Sequence, residues 1–469
     1  MKKDTFLKNS AFVFLFIIAF VFGIVIGRTD IKLFYALIAV VVLVVLIFLD
    51  YQRATYLVGL YLLLDFAMRN ILKIASITTI WDELFFIAVA IVWFYKWFIY
   101  RKENVKDSSP LHFPIVIFIA VFAVLTVFFT DNLFIGIEGL RVYVQYILWF
   151  FLTYSLLRTK NGARKALYVL VAVAVVTALY GIVQYFMGVE MLGAWVDKSE
   201  DIALTTRVYS IVGSPNILAS FMTLMIPITF SFCFFEEKKG KIVFFAISVA
   251  IMFTCLFFTY SRAALICSLI SLVVFAFIKN KKSVVPVILL IVVGVILMAA
   301  ISPAFLSRIT NIFSPEYYAS SSSYGRIARW TNGFELLRAS GYMGVGSGNF
   351  GGAIAANYSM KETFYVDNFY LKVAVEMGIA GLIAFIVLMY NYLIWSVRGA
   401  KKLISKKYKN LVYGTFAGSV GVLLNCFTEN IFEVPFMTTY FWVIAAIAMF
   451  ILYGKDVEKK TNVIEDESL

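Results

Sequence analysis

Residues 11–27 read AFVFLFIIAFVFGIVIG, and how this stretch is taken decides the fold. It carries no charge and follows Lys2, Lys3 and Lys8. A helix needs roughly 17–25 apolar residues to cross a hydrocarbon core of about 30 Å. A cleaved signal peptide opens in the same way, but its apolar region is shorter and ends at an A-x-A-like site, which this stretch lacks. It therefore reads as a retained membrane span. The next run, Val40–Leu49 (VVVLVVLIFL), does not alternate apolar and polar residues as a barrel strand does. In hydrocarbon the backbone must satisfy its own hydrogen bonds, so the spans are expected to be helices.

The remainder of the 469 residues repeats the pattern: 62% are hydrophobic and the mean hydropathy is +0.90, above the roughly 45–50% apolar content of soluble domains. Spans are expected at 11–27, 33–49, 54–72, 84–100, 113–129, 140–157, 166–186, 217–235, 242–258, 263–278, 284–300, 378–395, 411–428 and 437–453. The net charge of +13 suggests a nucleic-acid partner until its distribution is traced. With the N-terminus inside, Arg158, Lys160, Arg164 and Lys165 fill one inner connection, and Arg398, Lys401, Lys402, Lys406, Lys407 and Lys409 fill another. The positive-inside rule asks for this arrangement. The basic charge is thus a topology signal with some attraction for anionic lipid heads, and no nucleic acid is expected. Cys233, Cys255, Cys267 and Cys426 fall within spans, and the single histidine, His112, lies at the inner end of span five. No disulfide framework, metal site or cofactor is expected. The reading is an all-α polytopic membrane protein of about fourteen transmembrane helices, with both termini cytoplasmic. The helical bundle takes residues 1–455 and a polar cytoplasmic tail takes 456–469.

Elaboration falls on the outer face. The connections Gly188–Pro215 and Ser302–Met377, the latter between spans eleven and twelve, are long, and long loops in compact proteins are usually functional or disordered. The second has order written into it. Tyr324–Arg338 reads as a helix with Ile327, Trp330, Phe334 and Leu337 on one side, a Gly-rich turn follows, and a second helix leads into span twelve. Charged residues cluster at outer span ends, among them Arg141, Arg207, Arg262, Arg326, Arg329, Asp367, Glu376, Glu429 and Glu433. A transporter would more often place ionisable groups near the midplane of related halves.

Each candidate has a bland reading beside a functional one. Arg207, just before span eight, and Arg262, in the tight Thr-Tyr-Ser-Arg turn, offer planar forks of donors suited to phosphate oxygens, or they snorkel to the interface. The short hairpin holds Arg262 at the interface and Ser261 adds a donor beside it. Gly213-Ser-Pro-Asn216 reads as a turn into span eight, with Pro215 at the helix start and Asn216 as cap. Gly344-x-Gly346-x-Gly348 follows no strand of a βαβ unit, so it is expected to be a flexible turn rather than a nucleotide cradle. Asp367-Asn368 is either an N-cap or a carboxylate that takes a proton or orients a nucleophile. Asn368, Lys372 and Glu376 share one helix face.

Taken together, and in this order on one face, these segments resemble the O-antigen ligase and Wzy-type polymerase superfamily over roughly Arg141 to Gly381. The ligase pattern runs His, then Asn/Ser/Gln, nine residues, Gly, two residues and Gly/Thr/Tyr. Asn368, Phe369–Met377, Gly378 and Gly381 fit it, with Asp367 in the histidine's place. Arg207, Arg262, Arg326-Ile-Ala-Arg-Trp330 and Gly344–Gly348 are similar to further family segments. The resemblance implies a C-type glycosyltransferase-like fold and an undecaprenyl-pyrophosphate-linked glycan as donor. It also implies an acceptor glycan, no nucleotide sugar, and a flippase and chain-length regulator of the same pathway as partners. Because Asp replaces His, a bacterial surface-polysaccharide polymerase in the cytoplasmic membrane, acting on its outer side, is preferred. A ligase to another acceptor and a lipid-linked oligosaccharide flippase are the alternatives. In this reading Asp367, Arg262 and Arg207 are catalytic, and Arg326, Arg329, Asn368, Asn216, Ser261 and Arg141 bind substrate.

Overall fold

The computed structural model describes residues 50–72, 80–99, 108–190, 206–301, 314–323, 325–358 and 365–456. The expected spans 11–27 and 33–49 and the tail from 457 onward lie outside the described residues. Among the described residues there are helices and no strands. In chain order they are α1 (Arg53–Gly59), α2 (Tyr61–Ala67), a π turn (Met68–Leu72), α3 (Trp81–Ile99), α4 (His112–Phe129), α5 (Leu133–Val144), a 3-10 turn (Gln145–Leu148), α6 (Trp149–Leu156) and α7 (Lys160–Phe186). There follow α8 (Pro215–Phe232), α9 (Lys239–Phe258), α10 (Arg262–Lys279), α11 (Val284–Ile301), α12 (Pro315–Ser323), α13 (Arg326–Ala339), α14 (Gly352–Asn357), α15 (Phe369–Lys402), α16 (Lys406–Asn425) and α17 (Pro435–Tyr453). By length and composition, eight segments among the described residues can cross a membrane: α4, α5 through α6, α7, α8, α9, α10, α15 and α17. The chain is a multi-pass membrane protein.

The helices differ in how much of their surface other helices cover. In α8 and α17, 83% and 89% of the apolar window is buried, against 22% in α4 and 33% in α9. The first two are therefore the axis of the bundle, and the others expose large apolar side chains such as Phe113 and Phe128. Helices in lipid gain little from hydrophobicity against one another and rely on close packing at small residues. The contact of α8 with α16 is built in that way. A Cβ at Gly418 would overlap the carbonyl oxygen of Leu224, and one at Gly414 would lie 2.5 Å from Ser231 Oγ. The close approach lets Asn425 Nδ2 donate to Ser220 Oγ at 2.7 Å between the same two helices.

α15 is two helices. Gly378 breaks it with φ 67° and ψ −178°, a conformation open essentially to glycine alone. The break frees backbone acceptors, and the Gly-rich turn satisfies them: Val345 N–H donates to Val375 O at 2.8 Å and Gly346 N–H to Glu376 O at 3.0 Å. A Cβ at Gly344 would lie 2.5 Å from Gly378 N. The expected flexible turn is therefore a packed cap on a helix break, and the family pattern's glycine at 378 has a backbone reason.

The helix read as Tyr324–Arg338 is present as α13, but its apolar face is rotated from the expected one. Phe334 is exposed, whereas Gly333 and Leu337 are buried. Gly333 lets α13 approach Leu371 and Phe350 closely, and Trp330, Leu336 and Leu337 pack with Phe350, Val366, Leu371 and Val375. Four helices, α8, α10, α15 and α17, begin at the end of the bundle where α9 and α16 stop. The connections there, together with α13, build the site.

Replacing Gly418 by Val should hold α8 and α16 apart and lower the melting temperature of detergent-purified protein, at a cost of about 1–3 kcal/mol. Gly240→Ala, where a Cβ meets nothing within 4 Å, should leave it unchanged.

Candidate functional site

The turn before α8 sets the first arginine. Gly213 takes φ 79°, which leaves Ser214 extended at the N-cap, where its Oγ accepts from Ile217 N–H. Ser214 is the cap, in place of the expected Asn216. Asn216, one residue inside the helix, points back across the turn. Its Oδ1 accepts from Arg207 Nη2 at 2.8 Å, and its Nδ2 donates to Glu429 Oε1 at 2.6 Å. Arg207 is 8% exposed, and its Nε donates to the carbonyl of Thr259 at 3.1 Å. That carbonyl belongs to the hairpin that leads into Arg262. Tyr260 turns the hairpin at φ 54°, and Ser261 N–H donates to Thr259 Oγ1 at 3.2 Å. The Arg207 and Arg262 segments are therefore joined side by side, with Arg262 as the first residue of α10.

The second half comes from α13 and the start of α15. Arg326 Nη2 donates to Glu429 Oε1 at 2.9 Å, and its Nε lies 3.4 Å from Asp367 Oδ2. Arg329 Nη2 pairs with the same Asp367 oxygen at 2.9 Å. Arg329 Nη1 donates to Tyr365 O and Trp330 Nε1 to Val366 O, so one turn of α13 clamps the strip 365–367. Asp367 sits at φ 51°, in the left-handed region that Asp tolerates better than most residues. The cap expected at Asp367-Asn368 falls on the second residue. Asn368 is the N-cap, accepting from Leu371 N–H at 3.1 Å, and Asp367 is the charge partner of two arginines.

A single chain of hydrogen bonds and ion pairs thus runs Arg207, Asn216, Glu429, Arg326, Asp367, Arg329. It is graded in exposure: the side chains of Arg326, Arg329 and Asp367 are 30%, 26% and 19% exposed, and that of Glu429 is 10% exposed. The network opens on the α13 side and is closed on the α8 side. Burial pushes the Glu429 carboxyl up to about 7. The negative charge of Asp367 adds to the rise, and Arg326, Arg207 and the Asn216 hydrogen bond oppose it.

Beside this chain lies a buried one. Lys372 Nζ is 2.9 Å from Glu376 Oε1 and 3.0 Å from Glu433 Oε1, and donates to the carbonyls of Phe350 and Gly351. Tyr143 donates its hydroxyl to Glu376 Oε2 at 2.5 Å. Asn430 connects the two chains: its Oδ1 accepts from Asn368 N–H, and its Nδ2 donates to Glu433 Oε2. Of the residues expected on one face, Lys372 and Glu376 are partners in this cluster and Asn368 is the cap above them. Burial also pushes the Glu433 carboxyl up, against the pull of Lys372.

Arg141 is not brought into the network. It is exposed on α5 and pairs with Glu83 and Gln145. Glu429, Glu433, Lys372 and Tyr143 were not among the expected site residues. A signal for the first two was present, because they are the ionisable residues of the short connection Phe427–Val434 between two apolar spans, where charge is costly and usually functional. Among the described residues no group of His, Cys, Asp and Glu could hold a metal ion. The arrangement can bind an anion: its three guanidiniums exceed its two carboxylates in charge, with Arg262 on the adjoining hairpin.

Lys372→Met should leave Glu376 and Glu433 buried without their cation and destabilise the protein by about 3–5 kcal/mol. A large drop in detergent melting temperature is expected, and an unchanged one would remove the cluster's structural role.

No curated protein matches the chain. Residues 247–386 of this membrane protein match the family model described as O-Antigen ligase, the superfamily that its arginine segments and its Asp367–Gly381 pattern resemble.

Proposed function

We propose that the chain is a surface-polysaccharide polymerase that transfers glycan from an undecaprenyl-pyrophosphate-linked donor to a sugar hydroxyl on the outer face of the bacterial cytoplasmic membrane. The observation that carries this reading is the continuous chain from Arg207 to Arg329, at the mouth of an apolar bundle. Guanidinium forks suit the oxygens of a pyrophosphate, and a donor held in the membrane delivers that group to the level of the helix ends. The positive-inside distribution of Lys and Arg supports an outer location for this end.

In this mechanism an acceptor hydroxyl attacks the anomeric carbon with inversion. The bond from that carbon to the phosphate oxygen breaks, and the electron pair leaves with the lipid pyrophosphate. Arg207 and Arg262 stabilise the charge that grows there, as preorganised donors do. Arg326 and Arg329 hold phosphate oxygens nearer the opening, and Asp367 orients both of them. Ser261 and Asn216 complete the donor set, and Asn368 fixes the start of α15 beneath it. No nucleotide sugar enters such a site.

A second reading is favoured by the matched O-Antigen ligase family: a ligase that moves finished glycan to a different acceptor. Purified protein supplied with the lipid-linked glycan that accumulates in cells lacking this chain separates the readings. Longer products on the same lipid support the polymerase, and transfer only to a different acceptor supports the ligase. Transbilayer movement without a new glycosidic bond would remove both in favour of a flippase. Arg207→Ala and Arg262→Ala should each slow transfer about 10²–10³-fold, read as shortened polymer on gels at equal membrane level. Arg141→Ala should leave polymer length at the wild-type value.

A further inference from the structure

We infer that Glu429, rather than Asp367, takes the proton from the attacking hydroxyl. The inference rests on the transferase reading above and adds to it a residue outside the matched segment 247–386.

Three observations point to it. The first is position. Glu429 is the carboxylate that joins the two arginine groups: its Oε1 accepts both from Asn216, which holds Arg207, and from Arg326. A pyrophosphate that draws Arg326 onto its own oxygens leaves Oε1 with one donor fewer, free to accept the proton of a hydroxyl that approaches the anomeric carbon from the face opposite the phosphate. The second is the division of labour between the carboxylates. Asp367 Oδ2 is held by two guanidiniums three residues apart on α13, and its backbone belongs to the strip that α13 clamps. Both features suit an anchor for arginines. The third is the surroundings. The Glu429 side chain is 10% exposed, against 19% for Asp367, so it lies deeper in the network.

The step balances. The hydroxyl oxygen forms the new bond to the anomeric carbon, its proton passes to the Glu429 carboxylate, and the leaving pyrophosphate keeps the electron pair. The carboxylic acid then returns the proton to water after product leaves. The charged and titratable groups facing Glu429 include Arg207 from the turn before α8, Arg326 from α13, Asp367 from the start of α15 and the Cys426 thiol at the end of α16. Burial, with the charge of Asp367, pushes the carboxyl up to about 7 against the arginines, close to the operating pH that suits a general base.

The test uses the full-length protein in detergent or nanodiscs, with undecaprenyl pyrophosphate as the binding probe and the accumulated lipid-linked glycan as substrate. Glu429→Gln keeps the side chain's size and can still accept from Arg326. It is expected to bind undecaprenyl pyrophosphate within about threefold of wild type and to lose about 10²–10⁴-fold in turnover, the range for a general base. Wild-type turnover should rise with pH through the region near 7. That limb should vanish in Glu429→Gln and persist, at a lower rate, in Glu429→Asp. Turnover of Glu429→Gln within about threefold of wild type, or an unchanged pH limb in it, overturns the inference, as does loss of probe binding in this variant. If Glu429→Gln does not fold, Glu429→Asp decides: a pH limb identical in position to the wild type's overturns the assignment, and a displaced one supports it. Absence of probe binding to the wild-type protein would instead count against the transferase reading itself.

Discussion

Three guanidinium groups cannot share the mouth of an apolar bundle unless anions are set among them. Glu429 and Asp367 meet that requirement, and the surrounding architecture serves to place them. A charge removed from water costs several kcal/mol unless it is paired and hydrogen-bonded. The network answers with charge-assisted bonds on each member and with Asn216 as a neutral bridge between Arg207 and Glu429. Glu429 must arrive from the end of α16 and Asn216 from the start of α8. The glycine-mediated contact between those two helices is thus a condition for the site as well as for the bundle.

The support beneath the network has its own logic. α15 starts at the site, breaks at Gly378 and continues as a span. A break in hydrocarbon is tolerated where neighbouring backbone supplies the missing partners, and the Gly-rich turn supplies them from Val345 and Gly346. Lys372 and Glu376 lie on the short piece above the break, and they reach Glu433 on the same connection that carries Glu429. The position of Glu429 is fixed from two sides, by Arg326 and Asn216, which hold its carboxylate, and by Glu433, four residues further along the same connection, which the buried Lys372 anchors.

Much of this was legible in the residues, and the remainder fails to show for physical reasons. Apolar runs marked the helices because lipid demands them. The expected spans that fall in the described residues are largely helical, eight helical segments there being long and apolar enough to cross a membrane, although 54–72 is broken into shorter helices and α15 and α16 extend several residues beyond the apolar run into polar sequence. Arg207, Arg326, Arg329 and Asp367 stood out as charges at span ends, and the fold brings them together. Arg141 stood out in the same way, yet its partner, Glu83, is distant in sequence and the pairing was not visible. Local chemistry favours Asn216 as a cap, whereas the partners that it takes lie 9 and 213 residues away. Phe334 was placed on the packed face by periodicity alone, which takes no account of Gly333 letting the helix roll toward Leu371. In the sequence Glu429 is only a charge at a span end, since its meaning depends on a contact 103 residues away.

The convergence of four helix starts on one end has a consequence for how any scan of this region reads out. Each start carries the equivalent of about half a positive charge from its aligned peptide groups, and that field belongs to the backbone. Stripping arginines one at a time removes the directional donors but leaves this diffuse attraction for anions intact. Affinity for a phosphorylated headgroup should therefore fall less steeply than turnover, because holding the group near the mouth and steadying its departing charge draw on different sources of positive potential.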